Sequence, residues 1–448
     1  MTEQQAAPVL EFEDIQGPVL RKRPIPYYGA YFVLRIDDPT DGREMLRRLA
    51  PQVASAADWK RSADLARINV ALTFQGLKAL GVPQASLESF SPEFQQGMAA
   101  RAEAIGDVGE SAPANWEKPF GTQDVHVALA YTSGEETALE HRLDLARTNL
   151  HDLPGVSIIY QLDTAMLPTV RTHFGYRDGV STPLVEGSGS PGLPGQGPAI
   201  KPGEFILGYH DEMGNLPPIP QPEVLGRNGT YLAFRKIHTH VAEFRRFLRA
   251  NAESPEEEKL LQAKFLGRWP SGAPLVLAPE RDDPELGADP QRNNDFRYYE
   301  EDPKGLKCPA GAHIRRTNPR DALKDTITNV NIHRIVRRGF VYGPKLPEGA
   351  IEDDGVDRGI VFLWMGAYLA RQFEFVKSQW HNDGDFVGLA DEKDPIAGAN
   401  DGTGTFTIPK RPIRRRLQGI PRFVTTKGGE YCFLPSIRAL HWLAELDT

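Results

Sequence analysis

A Gly- and Pro-rich segment, residues 186–203, divides the chain into two parts. Ten of its 18 residues are glycine or proline, a density that is incompatible with a regular helix or a central strand. We therefore expect this segment to be a surface connection. The whole chain has 448 residues, which exceeds the size at which one hydrophobic core usually stops growing. Two domains are therefore expected, at residues 1–185 and 204–448.

The first part alternates segments typical of strands and helices in the order βαββαβ. The predicted strands are residues 30–36, 68–74, 125–132 and 155–162, and the main predicted helices are residues 41–49 and 135–150. In the second part, strands are predicted at 205–209, 229–235, 334–342 and 359–369, and helices at 241–252, 255–266 and 372–380. The order of elements indicates that both parts follow one α+β plan.

The composition is that of an ordinary globular protein, with 40% hydrophobic and 25% charged residues. A net charge of -8 and the lack of a continuous basic tract argue against nucleic acid as a partner. The longest apolar run, residues 360–370, is about half the ~20 residues of a membrane span. The N-terminus has no signal-peptide pattern, so a cytoplasmic protein is expected. Two cysteines, Cys308 and Cys432, are too few for a disulfide framework.

His313 is a candidate haem ligand because of its neighbours. It follows the small residues 309–312 and precedes Arg315, Arg316 and Arg320. Small residues allow a flat macrocycle to approach the backbone, and arginines bind the two propionate carboxylates well. Histidine is the commonest axial ligand of haem that handles oxygen or peroxide. However, most of the 11 histidines must be surface or structural residues, so His313 carries weight only in combination with other residues.

Two charged side chains provide that combination. Asp178 lies in the sequence GYRDG, which alone would be an ordinary turn. A carboxylate above an open iron site would accept the proton of the inner oxygen of hydrogen peroxide and return it to the outer oxygen. Arg334 lies in NIHRI, and its permanent charge would stabilise the negative charge on the departing oxygen. Alone, it would be a solvated strand residue beside Arg337 and Arg338.

Together, these motifs resemble those of the dye-decolourising peroxidases. The resemblance rests on GYRDG at 175–179, AHIRRTNPR at 312–320 and NIHRIVRRG at 331–339. The segments GEFILGY at 203–209 and NGTYLAFRK at 228–236 are similar to the second half of that family as well. The motifs run from about Phe174 to the C-terminus, and only the order of elements supports the first part.

The resemblance implies an α+β fold of two ferredoxin-like domains, of the dimeric α+β barrel type, with haem in the second. The cofactor would be haem b, one iron protoporphyrin IX per chain. His313 would be the axial ligand, with Asp178 and Arg334 on the opposite face of the ring. From their own chemistry, Arg315 and Arg320 are candidates for cofactor binding.

Two aromatic residues, Tyr342 and Trp380, match positions at which family members pass oxidising equivalents to the surface. Bulky dyes do not reach a buried haem, so oxidising them requires such a relay. An aromatic residue near a strand is nevertheless often ordinary core packing. For the carboxylate that accepts the second imidazole N–H of His313, the sequence offers Asp394 and Asp401, of which we favour Asp394.

The sequence therefore predicts a haem peroxidase that reduces hydrogen peroxide and oxidises bulky aromatic compounds by one-electron steps, as a monomer or homodimer. The main alternative is a haem carrier or iron-extraction protein, which needs the same pocket without fast turnover. A nicotinamide-dependent enzyme is a third alternative. The sequence GSGSPG at 187–192 formally matches a dinucleotide-binding motif, but it follows no clear strand and has proline where the helix would begin.

Overall fold

The computed structural model describes residues 9–58, 66–326 and 329–446. Its strands are β1 (Tyr28–Ile36), β2 (Arg67–Thr73), β3 (Val127–Ser133), β4 (Val156–Ala165), β5 (Thr230–Thr239), β6 (Val336–Tyr342), β7 (Gly359–Gly366), β8 (Gly404–Ile408), β9 (Arg415–Ile420) and β10 (Val424–Leu434). Its α-helices are α1 (Gly17–Leu20), α2 (Pro39–Leu49), α3 (Phe74–Ala79), α4 (Gln84–Glu88), α5 (Pro92–Gln96), α6 (Glu136–Leu150), α7 (Glu223–Gly226), α8 (Val241–Ala250), α9 (Pro255–Leu266), α10 (Pro284–Ala288), α11 (Tyr298–Glu301), α12 (His313–Thr317) and α13 (Ile437–Ala444).

Two adjoining segments, Leu369–Glu374 and Val376–Asn382, are π-helical. Short 3₁₀ turns occur at Ala50–Gln52, Ala99–Arg101, Gly109–Ser111, Pro113–Asn115, Pro202–Glu204, Val330–His333 and Phe386–Gly388. None of the helices in the described part of the chain has both the length and the apolar composition needed to cross a bilayer.

Eight strands form one antiparallel sheet in the order β4-β1-β3-β2-β10-β5-β7-β6. The sheet has two four-stranded halves, one from the first part of the chain and one from the second. They join where β10 pairs with β2, at Cys432 with Thr73 and Phe433 with Leu72. The edge strands β4 and β6 also approach each other. Helices and an antiparallel sheet in this arrangement confirm the predicted α+β class.

Most predicted elements lie within a few residues of those in the structure. An exception is residues 205–209, which are not a strand. The amides of Phe205 and Ile206 donate to the carbonyl of Pro202, both at 2.8 Å, and Leu207 donates to Gly229 at 2.9 Å. These three apolar side chains are fully buried, so the run that suggested a strand instead fills the core from a turn. The predicted helix at 372–380 is π-helical.

Candidate active site

A cavity that opens to solvent lies against the second half of the sheet. Alternate residues of β5, Ile237 and Thr239, and of β7, Ile360, Phe362 and Trp364, line one wall. The other walls come from residues 172–183, 266–320, 333–337 and 396–397. His313, Asp178 and Arg334 all line this cavity. The structure therefore brings together three side chains from distant parts of the sequence.

His313 is the first residue of α12, and its imidazole is fixed through one nitrogen. Nδ1 lies 2.8 Å from Oδ2 of Asp394. Among the hydrogen bonds of the described residues, none involves Nε2 of His313. Since a carboxylate accepts a proton but does not donate one when ionised, Nδ1 carries the hydrogen. Nε2 therefore keeps its lone pair free on the cavity side, as a metal ligand requires.

Asp394 is completely buried, and its other oxygen accepts the amides of Ile396 and Ala397, both at 2.8 Å. Burial alone would raise the pKa of this carboxyl, but the interaction with the His313 imidazole, whose Nδ1–H donates to it, and the hydrogen bond from the Ala397 amide outweigh burial and hold the pKa below its usual range. Asp394 is therefore ionised over the whole physiological range. Asp401 is exposed and accepts from Thr403, so only Asp394 of the two candidates contacts His313.

His381 is a neighbour that sequence reasoning missed. Its ring centroid lies 5.5 Å from that of His313, and its Nε2 lies 3.0 Å from the hydroxyl of Thr317. Burial holds its pKa well below the usual value, so the imidazole is neutral. The hydroxyl of Thr317 donates to the carbonyl of His313 at 2.8 Å. His381 thus supports α12 through Thr317. In the sequence, the only signal for His381 was that it directly follows Trp380.

Asp178 is held between two arginines. The turn that carries it has glycines with positive φ on both sides, Gly175 at 86° and Gly179 at 74°. One carboxylate oxygen lies 3.3 Å from a guanidinium nitrogen of Arg23, and the other lies 3.1 Å from one of Arg337. The side chain keeps only 14% of its surface exposed. Its two oxygens are therefore fixed in position at the cavity wall.

Arg334 follows the 3₁₀ turn Val330–His333 and points its guanidinium at the same cavity. Within the described ranges, no acceptor is hydrogen-bonded to that guanidinium. Burial, together with the nearby charge of Arg320, lowers the pKa of Arg334 to about 10. The group is still protonated at neutral pH, so it offers free N–H donors to a molecule in the cavity.

The two arginines predicted to bind a cofactor differ in position. Arg320 lines the cavity, donates to the carbonyls of Gly195 and Asn294 at 2.8 Å, and lies 3.8 Å from the ring centroid of Phe296. Its role in cofactor binding stays a prediction.

Arg315 does not line the cavity, contrary to the prediction. Its guanidinium pairs with Asp302 at 3.3 Å, donates to the carbonyl of Cys308 at 2.9 Å, and is 5% exposed. The reason is helical geometry: positions two apart on a helix point to opposite sides, so with His313 facing the cavity, Arg315 faces the core.

Tyr342 and Trp380 are each 3% exposed, and neither lines the cavity. Trp380 packs edge-on against His333, at 5.3 Å between ring centroids, and His333 lies on the cavity wall. The hydroxyl of Tyr342 lies 3.3 Å from Asp357, and its carbonyl lies 2.8 Å from Nε2 of His173, another wall residue. Each aromatic residue is thus one side chain away from the cavity.

The chain is similar to known proteins over nearly its full length. Residues 14–166 match the model of the DyP dimeric alpha+beta barrel domain. The chain is 31% identical to a dye-decolorizing peroxidase of Exidia glandulosa, over 98% of this chain and 88% of that protein. A solved structure of a dye-decolorizing peroxidase in complex with 2,6-dimethoxyphenol has a TM-score of 0.86 at 29% identity, covering 97% of this chain and 100% of the other.

A second kind of relative matches over a much shorter span. A deferrochelatase of Yersinia pestis is 30% identical over 31% of this chain and 25% of its own length. The peroxidases, in contrast, match across both halves of the sheet and all the segments that line the cavity. The chain therefore belongs to the dye-decolourising peroxidase family.

Proposed function

We propose that this chain is a haem peroxidase that reduces hydrogen peroxide and oxidises bulky aromatic compounds, such as dyes and phenols, by one-electron steps. One observation carries the proposal. A single cavity presents an imidazole oriented by a buried carboxylate, a second carboxylate fixed by two arginines, and a guanidinium to which no described residue is hydrogen-bonded. The haem-carrier alternative is not favoured, because the relatives that cover the whole chain are peroxidases.

We propose haem b as the cofactor, with one group per chain. The walls of the cavity include the apolar side chains of Ile237, Ile360 and Ile396, which suit the faces of a porphyrin. Nε2 of His313 would bind the iron, and the cation of Arg320 on the wall would suit a negatively charged propionate. When bound, haem supplies the redox-active iron at which peroxide is reduced.

In this proposal Asp178 transfers the proton between the two oxygens of hydrogen peroxide. Its carboxylate accepts the proton of the inner peroxide oxygen and delivers it to the outer oxygen, so that the outer oxygen leaves as water. Arg23 and Arg337 hold the two carboxylate oxygens at 3.3 and 3.1 Å and so fix the direction of transfer. The guanidinium of Arg334 donates to the outer oxygen and stabilises the charge that builds on it.

Asp394 acts on the other side through His313. An ionised acceptor on Nδ1–H makes the imidazole a stronger electron donor and fixes the ring plane. His313 therefore reaches the cofactor in one orientation and as one tautomer.

For substrates too large for the cavity, we propose Trp380 and Tyr342 as relays. Trp380 packs edge-on against the wall residue His333, and the backbone carbonyl of Tyr342 lies 2.8 Å from Nε2 of the wall residue His173. The side chain of Asp357, which accepts the Tyr342 hydroxyl, is 47% exposed. This places the phenol of Tyr342 one residue below the surface.

The test is to mix the purified ferric holoprotein with one equivalent of hydrogen peroxide and then add a phenol. A peroxidase shows a rapid, defined change of the Soret band, which reverts when the phenol is added and oxidised. Slow bleaching without oxidation of the phenol would contradict the proposal and favour a haem carrier.

A further inference from the structure

Two imidazoles and a carboxylate meet outside the cavity, on the opposite face of strand β5. His238 lies in β5 and His240 directly follows it, whereas the alternate residues Ile237 and Thr239 line the cavity. Asp353 lies in the loop between β6 and β7. One donor atom from each of these three side chains lies within 4.8 Å of the other two. This separation is small enough for one ion to bind all three after minor side-chain rotation.

Each imidazole is already oriented through one of its nitrogens. Nδ1 of His238 lies 2.8 Å from a carboxylate oxygen of Asp357, and Nε2 of His240 lies 2.7 Å from the hydroxyl of Thr425. Within the described part of the chain, Nε2 of His238 and Nδ1 of His240 take part in no hydrogen bond. Histidines that bind metals have this arrangement, in which a carboxylate or hydroxyl partner fixes the tautomer and the ring.

The surrounding charge favours a cation. Three carboxylates, Asp353, Asp354 and Asp357, lie beside two cations, Lys236 and Arg358. Lys236 pairs with Asp357 at 2.7 Å, and Arg358 pairs with Asp354 at 2.7 Å. Asp353 is 3.9 Å from Arg358, and its side chain is 53% exposed. Its carboxylate is therefore accessible to ions from solvent and carries charge that the two cations do not fully offset.

We propose that His238, His240 and Asp353 form a surface site for a divalent transition metal of the Zn²⁺ type, separate from the haem cavity. Two imidazoles and one carboxylate, completed by water, are a donor set that zinc binds in four-coordinate geometry. Imidazole ligands also suit Cu²⁺ and Ni²⁺, whereas Ca²⁺ and Mg²⁺ prefer oxygen ligands alone. Asp357 and Thr425 are positioning residues that orient the two imidazoles.

Calorimetric titration of the chelator-treated, tag-free holoprotein with Zn²⁺ tests this site. We expect one Zn²⁺ per chain in the wild type. His238→Ala and His240→Ala should each weaken binding at least tenfold, and Asp357→Asn should weaken it about 10- to 100-fold by releasing the His238 ring. His151→Ala, which changes an exposed histidine elsewhere, is the matched control and should bind like the wild type.

Three results would overturn the proposal: no one-to-one binding, wild-type affinity in both histidine variants, or equal affinity for Zn²⁺ and Mn²⁺. The last would indicate carboxylate ligands, because imidazole-containing sites bind Mn²⁺ more weakly than Zn²⁺. If a histidine variant fails to fold, as judged by its Soret band and melting temperature, Asp353→Asn decides instead. That change lies on the surface and should also weaken Zn²⁺ binding, and unchanged affinity would count against the site.

Discussion

At the scale of single residues, the site combines groups whose protonation states are set by their partners. His313 donates from Nδ1 to an aspartate that is ionised even when fully buried. Arg334 stays protonated although burial lowers its pKa to about 10. The cavity therefore offers a lone pair from one side chain and N–H donors from another, without any change in conformation.

Asp394→Asn should weaken haem binding about 10- to 100-fold and raise the reduction potential of the bound iron. The amide still accepts the Nδ1 hydrogen, but it lacks the charge that makes the imidazole a strong donor. Haem titration and a redox titration followed by absorption measure the two effects. Asp401→Asn is the control, since that side chain is exposed. Equal effects of the two changes would contradict the assignment of Asp394.

Asp178→Asn should slow the reaction with hydrogen peroxide by about 10²- to 10⁴-fold, since the amide does not accept a proton at neutral pH. Stopped-flow absorption at several peroxide concentrations gives the second-order rate constant. Asp163→Asn, an exposed residue of β4, is the matched control and should keep the wild-type rate. A rate within twofold of wild type for the Asp178 variant would remove this carboxylate from the mechanism.

His313, Asp178 and Arg334 were selected by the joint occurrence of three motifs and their resemblance to a known family, and all three line one cavity. The partners of Asp178 were not predictable in this way. Arg23 is separated from it by 155 positions and Arg337 by 159, and no local pattern links them. Arg315 was predicted wrongly at the cavity because its distance along the chain was considered without its direction on the helix.

At the scale of elements, the π-helical stretch between Leu369 and Asn382 shapes the region beside the cavity. Such segments are rare and often occur at functional sites. Here it places Trp380 and Phe375 against His333, whose ring stacks on Phe375 at 3.7 Å between centroids. The helical period of residues 372–380 was recognisable in the sequence, but the wider π pitch depends on these tertiary contacts.

Trp380→Phe should reduce the oxidation of large dyes about tenfold or more while changing the oxidation of small phenols little. Phenylalanine keeps most of the packing but is much harder to oxidise than the indole. Steady-state rates with a bulky dye and a small phenol provide the comparison, and Trp442→Phe in α13 is the control. Equal loss with both substrates would indicate that Trp380 is a packing residue only.

The buried carboxyl of Glu430, in strand β10, titrates in a way that makes stability depend on pH. Burial raises the pKa of Glu430 to about 8, and the carboxyl accepts only the amide of Gly121, at 3.3 Å, among the described residues. Its folded pKa is above the unfolded value of about 4.3. The folded state therefore holds the proton of Glu430 more tightly than the unfolded state does. The stability that this difference provides is fully present below pH ~4.3 and is lost as the pH rises through about 8.

Glu430→Gln should remove that loss, because the amide is neutral at every pH. Urea titrations at pH 5 and pH 8 give the free energy of unfolding of both proteins. Between these pH values it should fall more in the wild type than in the variant, and the difference between the two falls should be on the order of a few kcal/mol. Glu140→Gln, at an exposed position of α6, should keep the wild-type slope. An unchanged slope in the Glu430 variant would show that this group does not titrate as argued.

At the scale of the whole molecule, two similar four-stranded halves have different tasks. The second half supplies the cavity wall and His313, whereas the first part contributes Arg23 and the turn that carries Asp178. The alternation of strands and helices made this α+β plan predictable. The sequence did not predict that both halves pair into one eight-stranded sheet, since only two residue pairs of β10 and β2 form that junction.

The most direct test of the account is the absorption spectrum of the wild type and of His313→Ala, each purified and supplied with haem. We predict a Soret band with one haem per chain in the wild type, its loss or marked shift in the variant, and recovery when free imidazole is added to fill the space of the missing side chain. An identical spectrum and haem content in both proteins would contradict the claim that His313 binds the iron.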